Sequence, residues 1–125
     1  MNGLIVLGTA SDSGKTMICT ALCRILSDEG IRVTPFKSQN MSGFSAITEN
    51  GEEMSRAQFI QAEAARAIPS IYMNPILLKP VTEMQSEVLF FGEKFGHVTG
   101  MKYREQFFER GSDAIHLSLA KIAEK

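Results

Sequence analysis

The sequence predicts an α/β fold built on a parallel sheet, and three consecutive segments carry this prediction. Residues 4–7 form a short apolar run between Gly3 and Gly8, which is typical of a strand that is buried on both faces. Residues 14–29 place apolar side chains three and four positions apart, as on one face of a helix. Residues 31–36 favour a second strand, so the order strand, helix, strand predicts a βαβ unit with parallel pairing.

Further elements follow along the chain. The segment 37–52 has little periodicity and many turn formers, which predicts a long and functional loop. Residues 53–67 favour a helix with an alanine-rich face, 73–80 a constrained loop between two prolines, and 87–92 another strand. The last part of the chain has helical spacing over about 20 residues. Because no strand follows this final helix, we expect an incomplete sheet and a truncated chain.

Composition excludes several classes of protein. The chain has 125 residues with 44% hydrophobic side chains, which is enough for one domain with its own core. Thirteen basic side chains against fourteen acidic ones argue against nucleic acid or an anionic membrane as a partner. No apolar run approaches the roughly 18 residues of a transmembrane helix, and the N-terminus lacks the pattern of a signal peptide. We therefore expect a soluble cytoplasmic protein.

The segment 8–16, Gly-Thr-Ala-Ser-Asp-Ser-Gly-Lys-Thr, has the pattern of a phosphate-binding loop between a strand and a helix. Glycines let the backbone curl so that N–H groups point at a phosphate near the helix N-terminus. Lys15 is expected to reach the terminal phosphates of ATP, and the Thr16 hydroxyl to ligate Mg²⁺. The alternative is a glycine turn with Lys15 as a solvated residue, but a lysine in the first turn opposes the helix dipole.

The nucleotide-contacting residues predicted from this loop are Gly8, Thr9, Asp12, Ser13, Gly14, Lys15 and Thr16. Asp12 is ambiguous, since a carboxylate inside the loop repels phosphate unless it faces away. It is equally consistent with an acceptor for loop N–H groups and with a role toward Mg²⁺ or the substrate.

Four motifs in register resemble the N-terminal synthase domain of the cobyric acid synthase family. The members of this family are glutamine-dependent amidotransferases of cobalamin biosynthesis. The motifs lie at residues 8–16, 35–41 (Pro-Phe-Lys-Ser-Gln-Asn-Met), 51–58 (Gly-Glu-Glu-Met-Ser-Arg-Ala-Gln) and 73–80 (Met-Asn-Pro-Ile-Leu-Leu-Lys-Pro). The loop has five residues between its glycines instead of the usual four, a spacing shared by the related dethiobiotin synthetases. The resemblance implies a dethiobiotin synthetase-like P-loop NTPase fold.

The resemblance also implies an activity. These ligases use ATP to activate peripheral carboxylates of adenosylcobyrinic acid a,c-diamide, and ammonia from glutamine then displaces the phosphate. Residues 1–125 are expected to be the N-terminal part of the synthase domain, without the glutaminase domain and without the family's acidic Glu-Gly-Ala-Gly strand. Such a chain is expected to bind nucleotide without completing amidation by itself.

Roles for individual residues are carried over from the matching motifs. Lys37 is expected to join Lys15 as a catalytic cation, although a solvated lysine at a strand end is the alternative. Glu53 is a candidate Mg²⁺ ligand together with Thr16, and equally a carboxylate favoured by a helix N-terminus. The expected substrate contacts are Gln39, Asn40, Arg56 and Gln58, and Asn74 and Lys79 lie in a loop that approaches the nucleotide or substrate in relatives. Arg56 is alternatively a surface ion-pair partner. Ser38 replaces a proline that is common in the family.

Other residues and other functions are less well supported. Cys19 and Cys23 lie one helical turn apart and are expected to be packing residues, and His97 and His116 have no partner at metal or catalytic spacing. Alternative functions are a dethiobiotin synthetase-like carboxylase, a nucleotide-dependent dimerisation switch, and a structural unit whose sheet edge pairs with a second copy. The switch usually carries an extra lysine early in the loop, and positions 9–13 contain none.

Overall fold

A computed structural model describes residues 1–98 and 102–125, with the side chains of 96–98 and 102–106 left aside. The helices are α1 (Lys15–Asp28), α2 (Arg56–Ala64) and α3 (Lys102–Ala123), and a short 3₁₀ turn covers Ile71–Met73. The strands are β1 (Gln39–Met41), β2 (Ser45–Ile47), β3 (Glu53–Ser55), β4 (Ile76–Thr82), β5 (Gln85–Phe90) and β6 (Glu93–Val98).

The main sheet has the strand order β1-β4-β5-β6, and β2 pairs with β3 in a separate two-stranded ribbon. The pair β1–β4 is parallel, whereas β4–β5 and β5–β6 are antiparallel. Two-residue connections allow only antiparallel neighbours, and the turn of Phe91 and Gly92 has the positive φ values of 50° and 79° that a tight hairpin uses. The predicted α/β class is confirmed, and the sheet of the described residues is mixed rather than all parallel.

Two predicted strands differ from the structure. Residues 4–7 and 31–36 have no strand conformation within the described chain, and Leu4, Ile5 and Leu7 are exposed by 70%, 79% and 85%. A parallel strand exists only when neighbouring strands accept and donate its ladder hydrogen bonds. Neither segment has such a neighbour among the described residues, so the predicted βαβ unit is not formed here.

The predicted loops also contain strands. Residues 76–80 belong to β4, although Pro75 and Pro80 suggested a loop. β1 pairs only with Ile76 to Leu78, so β4 has a single neighbour at Pro80 and the missing N–H costs little there. The long loop 37–52 contains β1 and β2.

The helices agree with their predictions. The final helix is 22 residues long, α1 begins directly after the phosphate-loop segment, and α2 begins at Arg56 instead of at residue 53. Ser55 delays the start of α2 because its hydroxyl accepts a hydrogen bond from the Ala57 N–H and caps the helix. The predicted strand 87–92 is β5, which ends at Phe90.

Two apolar clusters form the core of the described chain. One joins the sheet to α3 through Ile76, Leu78, Val88, Phe90 and Ala114. The other joins β3, α2 and the 3₁₀ turn through Met54, Ala62, Ile71 and Met73, and Phe91 borders both clusters. Among the site residues described next, Glu53, Arg56 and Gln58 lie on β3 and α2, which the second cluster joins. Within the described residues, none of the helices has the length and apolar character needed to cross a membrane.

Candidate functional site

The phosphate-loop segment ends in an open helix N-terminus. Gly14, with a φ of 89°, occupies the N-cap position of α1, and no side chain in the described chain caps this end. The first turn also lacks acidic residues. The free N–H groups of such a turn, together with the positive end of the helix dipole, form a binding site for an anion.

Lys15 folds back across the loop that precedes it. Its ammonium group donates to the Ala10 carbonyl at 2.8 Å and to the Ser13 hydroxyl at 3.2 Å. A Cβ atom at Gly8 would lie 2.9 Å from the Lys15 Nζ and would clash with the Ser13 hydroxyl. A side chain at Gly8 would therefore occupy the space that the Lys15 and Ser13 side chains now fill. The residues present fit a bound phosphate chain, because the Lys15 ammonium group already lies against the loop next to the uncapped N-terminus of α1.

The remaining loop residues are open to solvent. Thr9, Asp12, Ser13 and Thr16 are all exposed. Asp12 adopts a φ of 56°, and within the described chain its carboxylate has no hydrogen-bond partner. Of the two interpretations of Asp12, the structure therefore gives no support to an acceptor for loop N–H groups.

The backbone of Thr16 is held from two directions. Its carbonyl accepts a hydrogen bond from the Thr20 hydroxyl at 2.8 Å and another from the Gln61 side-chain amide at 3.3 Å. The Thr16 hydroxyl is left for another ligand. Gln61 was not singled out from the sequence, because one more glutamine on a helix has no distinguishing local pattern.

The four expected substrate contacts fall into two groups. Gln39 and Arg56 are exposed, and within the described chain their side-chain polar groups have no protein partner. Asn40, in contrast, donates to the Ser55 hydroxyl at 2.6 Å and to the Gln58 carbonyl at 2.9 Å. Gln58 is only 2% exposed, so direct contact with a substrate requires these hydrogen bonds to break.

Glu53 lies on β3, where its carboxylate accepts hydrogen bonds from the Lys79 ammonium and, at 2.6 Å, from the Ser45 hydroxyl. Partial burial is the largest single influence and raises the pKa of this carboxyl, but the hydrogen bonds from Lys79 and Ser45, together with the charges of Lys79 and Lys94, hold the pKa below its usual value of 4.5. Glu53 is thus a carboxylate whose charge is compensated by Lys79. A cation at Glu53 has to displace or share with that lysine.

Lys37 directly precedes Ser38, whose carbonyl accepts a hydrogen bond from the Ile76 N–H. Its side chain is exposed, and the described chain offers it no ion-pair partner. Its backbone, however, is fixed twice, since its N–H donates to the Met73 carbonyl and its carbonyl accepts from the buried Asn74 amide at 3.1 Å. An exposed ammonium group thus extends from a backbone that is held by two hydrogen bonds.

The cysteines are packing residues, as expected. Cys23 is buried and both thiols are free, and burial, with a smaller effect of the nearby Cys19, raises the pKa of the Cys23 thiol. Among the residues the structure describes, no group of histidine, cysteine and carboxylate side chains could hold a metal ion. His116 is exposed on α3, and the His97 side chain lies outside the described residues.

The α/β fold and the lysine-bearing glycine loop at the start of α1 define a nucleotide-binding domain of the P-loop class. The profile of one family of such domains, described as the CobQ/CobB/MinD/ParA nucleotide binding domain, matches residues 4–125. The chain belongs to this family.

The chain is also similar to several cobyric acid synthases. The protein from Trichodesmium erythraeum is 47% identical over 125 residues, which cover 100% of this chain and 26% of that protein. The protein from Nostoc sp. is 49% identical over 123 residues, covering 98% of this chain and 25% of the relative. The protein from Lachnoclostridium phytofermentans is 54% identical over 100 residues, covering 80% and 20%. The chain thus spans about a quarter of the length of the first two relatives. No solved structure matches it.

Proposed function

We propose that this chain binds MgATP through residues 8–16 and contributes that site to an ATP-dependent amide ligase acting on corrinoid carboxylates. The single observation that carries the nucleotide proposal is the loop in which Lys15 lies over Gly8 at an uncapped helix N-terminus. The reaction is proposed from the cobyric acid synthases, which are 44–54% identical to the chain. Adenosylcobyrinic acid a,c-diamide is the proposed substrate.

The roles of the loop residues follow from their chemistry. Lys15 exchanges its contacts with Ala10 and Ser13 for phosphate oxygens, because an ammonium group binds a phosphate anion more strongly than a neutral acceptor. The N–H groups at the start of α1 hold the same oxygens. Bound Mg²⁺ would neutralise charge on the transferred phosphate, and the Thr16 hydroxyl and the Glu53 carboxylate are the residues proposed to hold it. For Glu53, the proposal requires Lys79 to move aside or share the carboxylate.

Lys37, Gln39 and Arg56 are proposed to face the carboxylate substrate, since their polar groups are exposed and uncommitted in the described chain. Lys37 is the proposed second cation of the site. Asn40 and Gln58 are held by each other and by Ser55, so their proposed contribution is to orient this surface. Catalysis of this kind depends on positioned charges more than on a protein nucleophile.

The assignment of residues 1–125 to the synthase portion of a ligase that works with a glutaminase domain is also part of this proposal. That the protein is cytoplasmic, and that it self-associates through an exposed sheet edge, stay predictions from the sequence.

A calorimetric titration of MgATP into the chain tests the nucleotide proposal. The variant Lys15→Ala removes the cation of the loop, and Lys121→Ala, on the far helix α3, is the matched control with the same loss of one charge. We expect saturable binding by the original chain and by Lys121→Ala, and affinity lower by about tenfold or more in Lys15→Ala, because one charge-assisted contact contributes about 1.5–3 kcal/mol. Equal binding by all three proteins, or none by the folded original chain, would contradict the proposal.

A further inference from the structure

A hydrogen-bonded line of polar residues, all of them buried except the half-buried Asn40, connects the start of α1 to the segment that carries Lys37. Its members are Gln61, Gln58, Asn40, Ser55 and Asn74, which we call the polar relay. Each member is hydrogen-bonded to the next, and the relay ends on a backbone carbonyl at both sides. One end is the carbonyl of Thr16, and the other is the carbonyl of Lys37.

The first half of the relay lies on α2. Gln61 is 4% exposed and Gln58 is 2% exposed. The Gln61 amide nitrogen donates to the Thr16 carbonyl at 3.3 Å, and its oxygen accepts from the Gln58 amide nitrogen at 3.5 Å. The Gln58 oxygen accepts from Asn40 at 2.9 Å. Each of the two glutamine amide nitrogens in this half therefore donates to one acceptor.

The second half crosses from β1 to β3 and β4. Asn40 donates to the Ser55 hydroxyl at 2.6 Å. The Ser55 N–H donates to the Asn74 oxygen at 2.9 Å, and the Asn74 amide nitrogen donates to the Lys37 and Ile76 carbonyls at 3.1 Å each. Ser55 and Asn74 are 0% exposed, so water does not compete for the buried contacts that Asn74 makes with the Ser55 N–H and the Ile76 carbonyl.

Such a relay costs desolvation free energy that an apolar core would not. What it adds is a unique arrangement, because amide groups with directional partners fix one relative position of the elements they join. The relay holds two residues by their backbone carbonyls, Thr16 and Lys37. Thr16 directly follows Lys15. These positions carry the two proposed cations and the proposed hydroxyl ligand of the metal.

A second contact between α1 and α2 lies at the opposite end of α1. Arg66 pairs with Asp28 at 2.6 Å and donates to the Ser27 hydroxyl at 2.9 Å. The Asp28 and Arg66 side chains are about half exposed, at 51% and 50%. Arg66, two residues after the end of α2, thus makes an exposed contact with α1 far from the loop, and Gln61 of α2 makes a partly buried contact next to the loop, which gives an internal control.

We propose that Gln61 is a positioning residue that holds the Thr16 end of the phosphate loop in register with the Lys37 segment, so that both act on one bound MgATP. This inference rests on the proposed function. It assigns a role to a residue that lies outside the phosphate loop and outside the predicted site. Gln61 does not touch nucleotide; it acts through the Thr16 carbonyl.

The test compares the original chain with Gln61→Met and Arg66→Ala. Methionine has a similar length but no amide donor, and Arg66→Ala removes the contact at the far end of the same helix pair. Calorimetric titrations with MgATP and with metal-free ATP give two affinities for each protein. We expect Gln61→Met to weaken MgATP about tenfold and metal-free ATP much less, because the misplaced Thr16 hydroxyl bears on the metal. Arg66→Ala is expected to leave both affinities unchanged.

A purely structural role of Gln61 would weaken both ligands by the same factor, and that result, or unchanged MgATP binding, would overturn the inference. If Gln61→Met does not fold, Gln61→Glu replaces it, since glutamate has nearly the same shape but its carboxylate cannot donate to the Thr16 carbonyl. Absence of binding in the original chain would instead refute the proposed function, and the inference with it. Whether the original chain binds MgATP thus distinguishes failure of the proposed function from failure of the inference about Gln61.

Discussion

At the scale of single residues, the shape of the phosphate loop depends on Gly8, because Lys15 lies where a side chain at this position would be. Gly8→Ala places a methyl group 2.9 Å from the Lys15 Nζ and against the Ser13 hydroxyl. We expect MgATP affinity to fall by about tenfold or more, as for the loss of one charge-assisted contact. Gly3→Ala is the control, since its added methyl group meets nothing within 4 Å. Titrations in which both variants bind equally would contradict the described loop geometry.

The ion pair of Asp28 gives a second prediction at this scale. The pKa of the Asp28 carboxyl is lowered from 3.8, first by the hydrogen bond from Arg66, against a smaller opposing effect of desolvation, and then by Arg24. Arg66→Ala is expected to raise this pKa toward its ordinary value, as measured by an NMR titration of the carboxyl carbon. An unchanged pKa would show that the pair is not formed in solution.

The sign of the pH dependence follows from the same shift. A carboxyl whose pKa is lower in the folded state stabilises the protein above its unfolded pKa and loses this contribution as pH falls through the folded value. The part of the difference in urea midpoint between the original chain and Arg66→Ala that comes from Asp28 should therefore be present at neutral pH and be lost in acid below 3.8, so that only the contribution of the Arg66 contact with the Ser27 hydroxyl remains there. It should be small at any pH, since both side chains are about half exposed.

At the scale of elements, the turn between β5 and β6 packs directly on the strand that carries Glu53. Gly92 has a φ of 79°, and a Cβ atom there would lie 2.7 Å from the Glu53 backbone nitrogen. We expect Gly92→Ala to lower the free energy of unfolding by at least about 1 kcal/mol, through both strain and the clash, as measured by urea denaturation. Gly43→Ala, which meets nothing within 4 Å, should differ from the original chain by less than about 0.5 kcal/mol. Comparable losses in both variants would contradict this packing.

The elements also show how far local patterns suffice. The three helices were predicted because helical periodicity and caps are local properties, and the small differences lie at ends such as Ser55, where a capping hydroxyl sets the boundary. Strand β4 was missed because two prolines suggest a loop, and only the short length of β1 explains why Pro80 is tolerated. Pairing between segments distant in sequence is not encoded in either segment alone.

The candidate site was predicted unevenly for the same reason. The phosphate loop is contiguous, so Gly8, Lys15 and Thr16 were predicted together from one stretch of sequence. The pairing of Glu53 with Lys79 and the burial of Gln58 depend on contacts between separate elements. Gln61 could not be identified, because nothing in its neighbours indicates that its amide reaches Thr16.

At the scale of the whole molecule, the largest difference from expectation is the exposed apolar segment 4–7. Its sequence favours a buried strand, yet the described residues provide neither a neighbouring strand nor a covering layer for it. The core lies elsewhere, between the mixed sheet and α3 and around β3 and α2. The phosphate loop therefore joins an exposed segment on one side to α1 on the other, and the Gln61 side chain ties the Thr16 end of the loop to α2.

The measurement that tests the central claim most directly is an amide NMR titration of the chain with MgATP, because it reports both binding and its location. We predict saturable shifts of the N–H signals of residues 9–16 and smaller ones along the polar relay, with the α3 signals unchanged and the loop shifts lost in Lys15→Ala. Shifts confined to α3, or loop shifts that persist in Lys15→Ala, would contradict the claim that this loop is the nucleotide site.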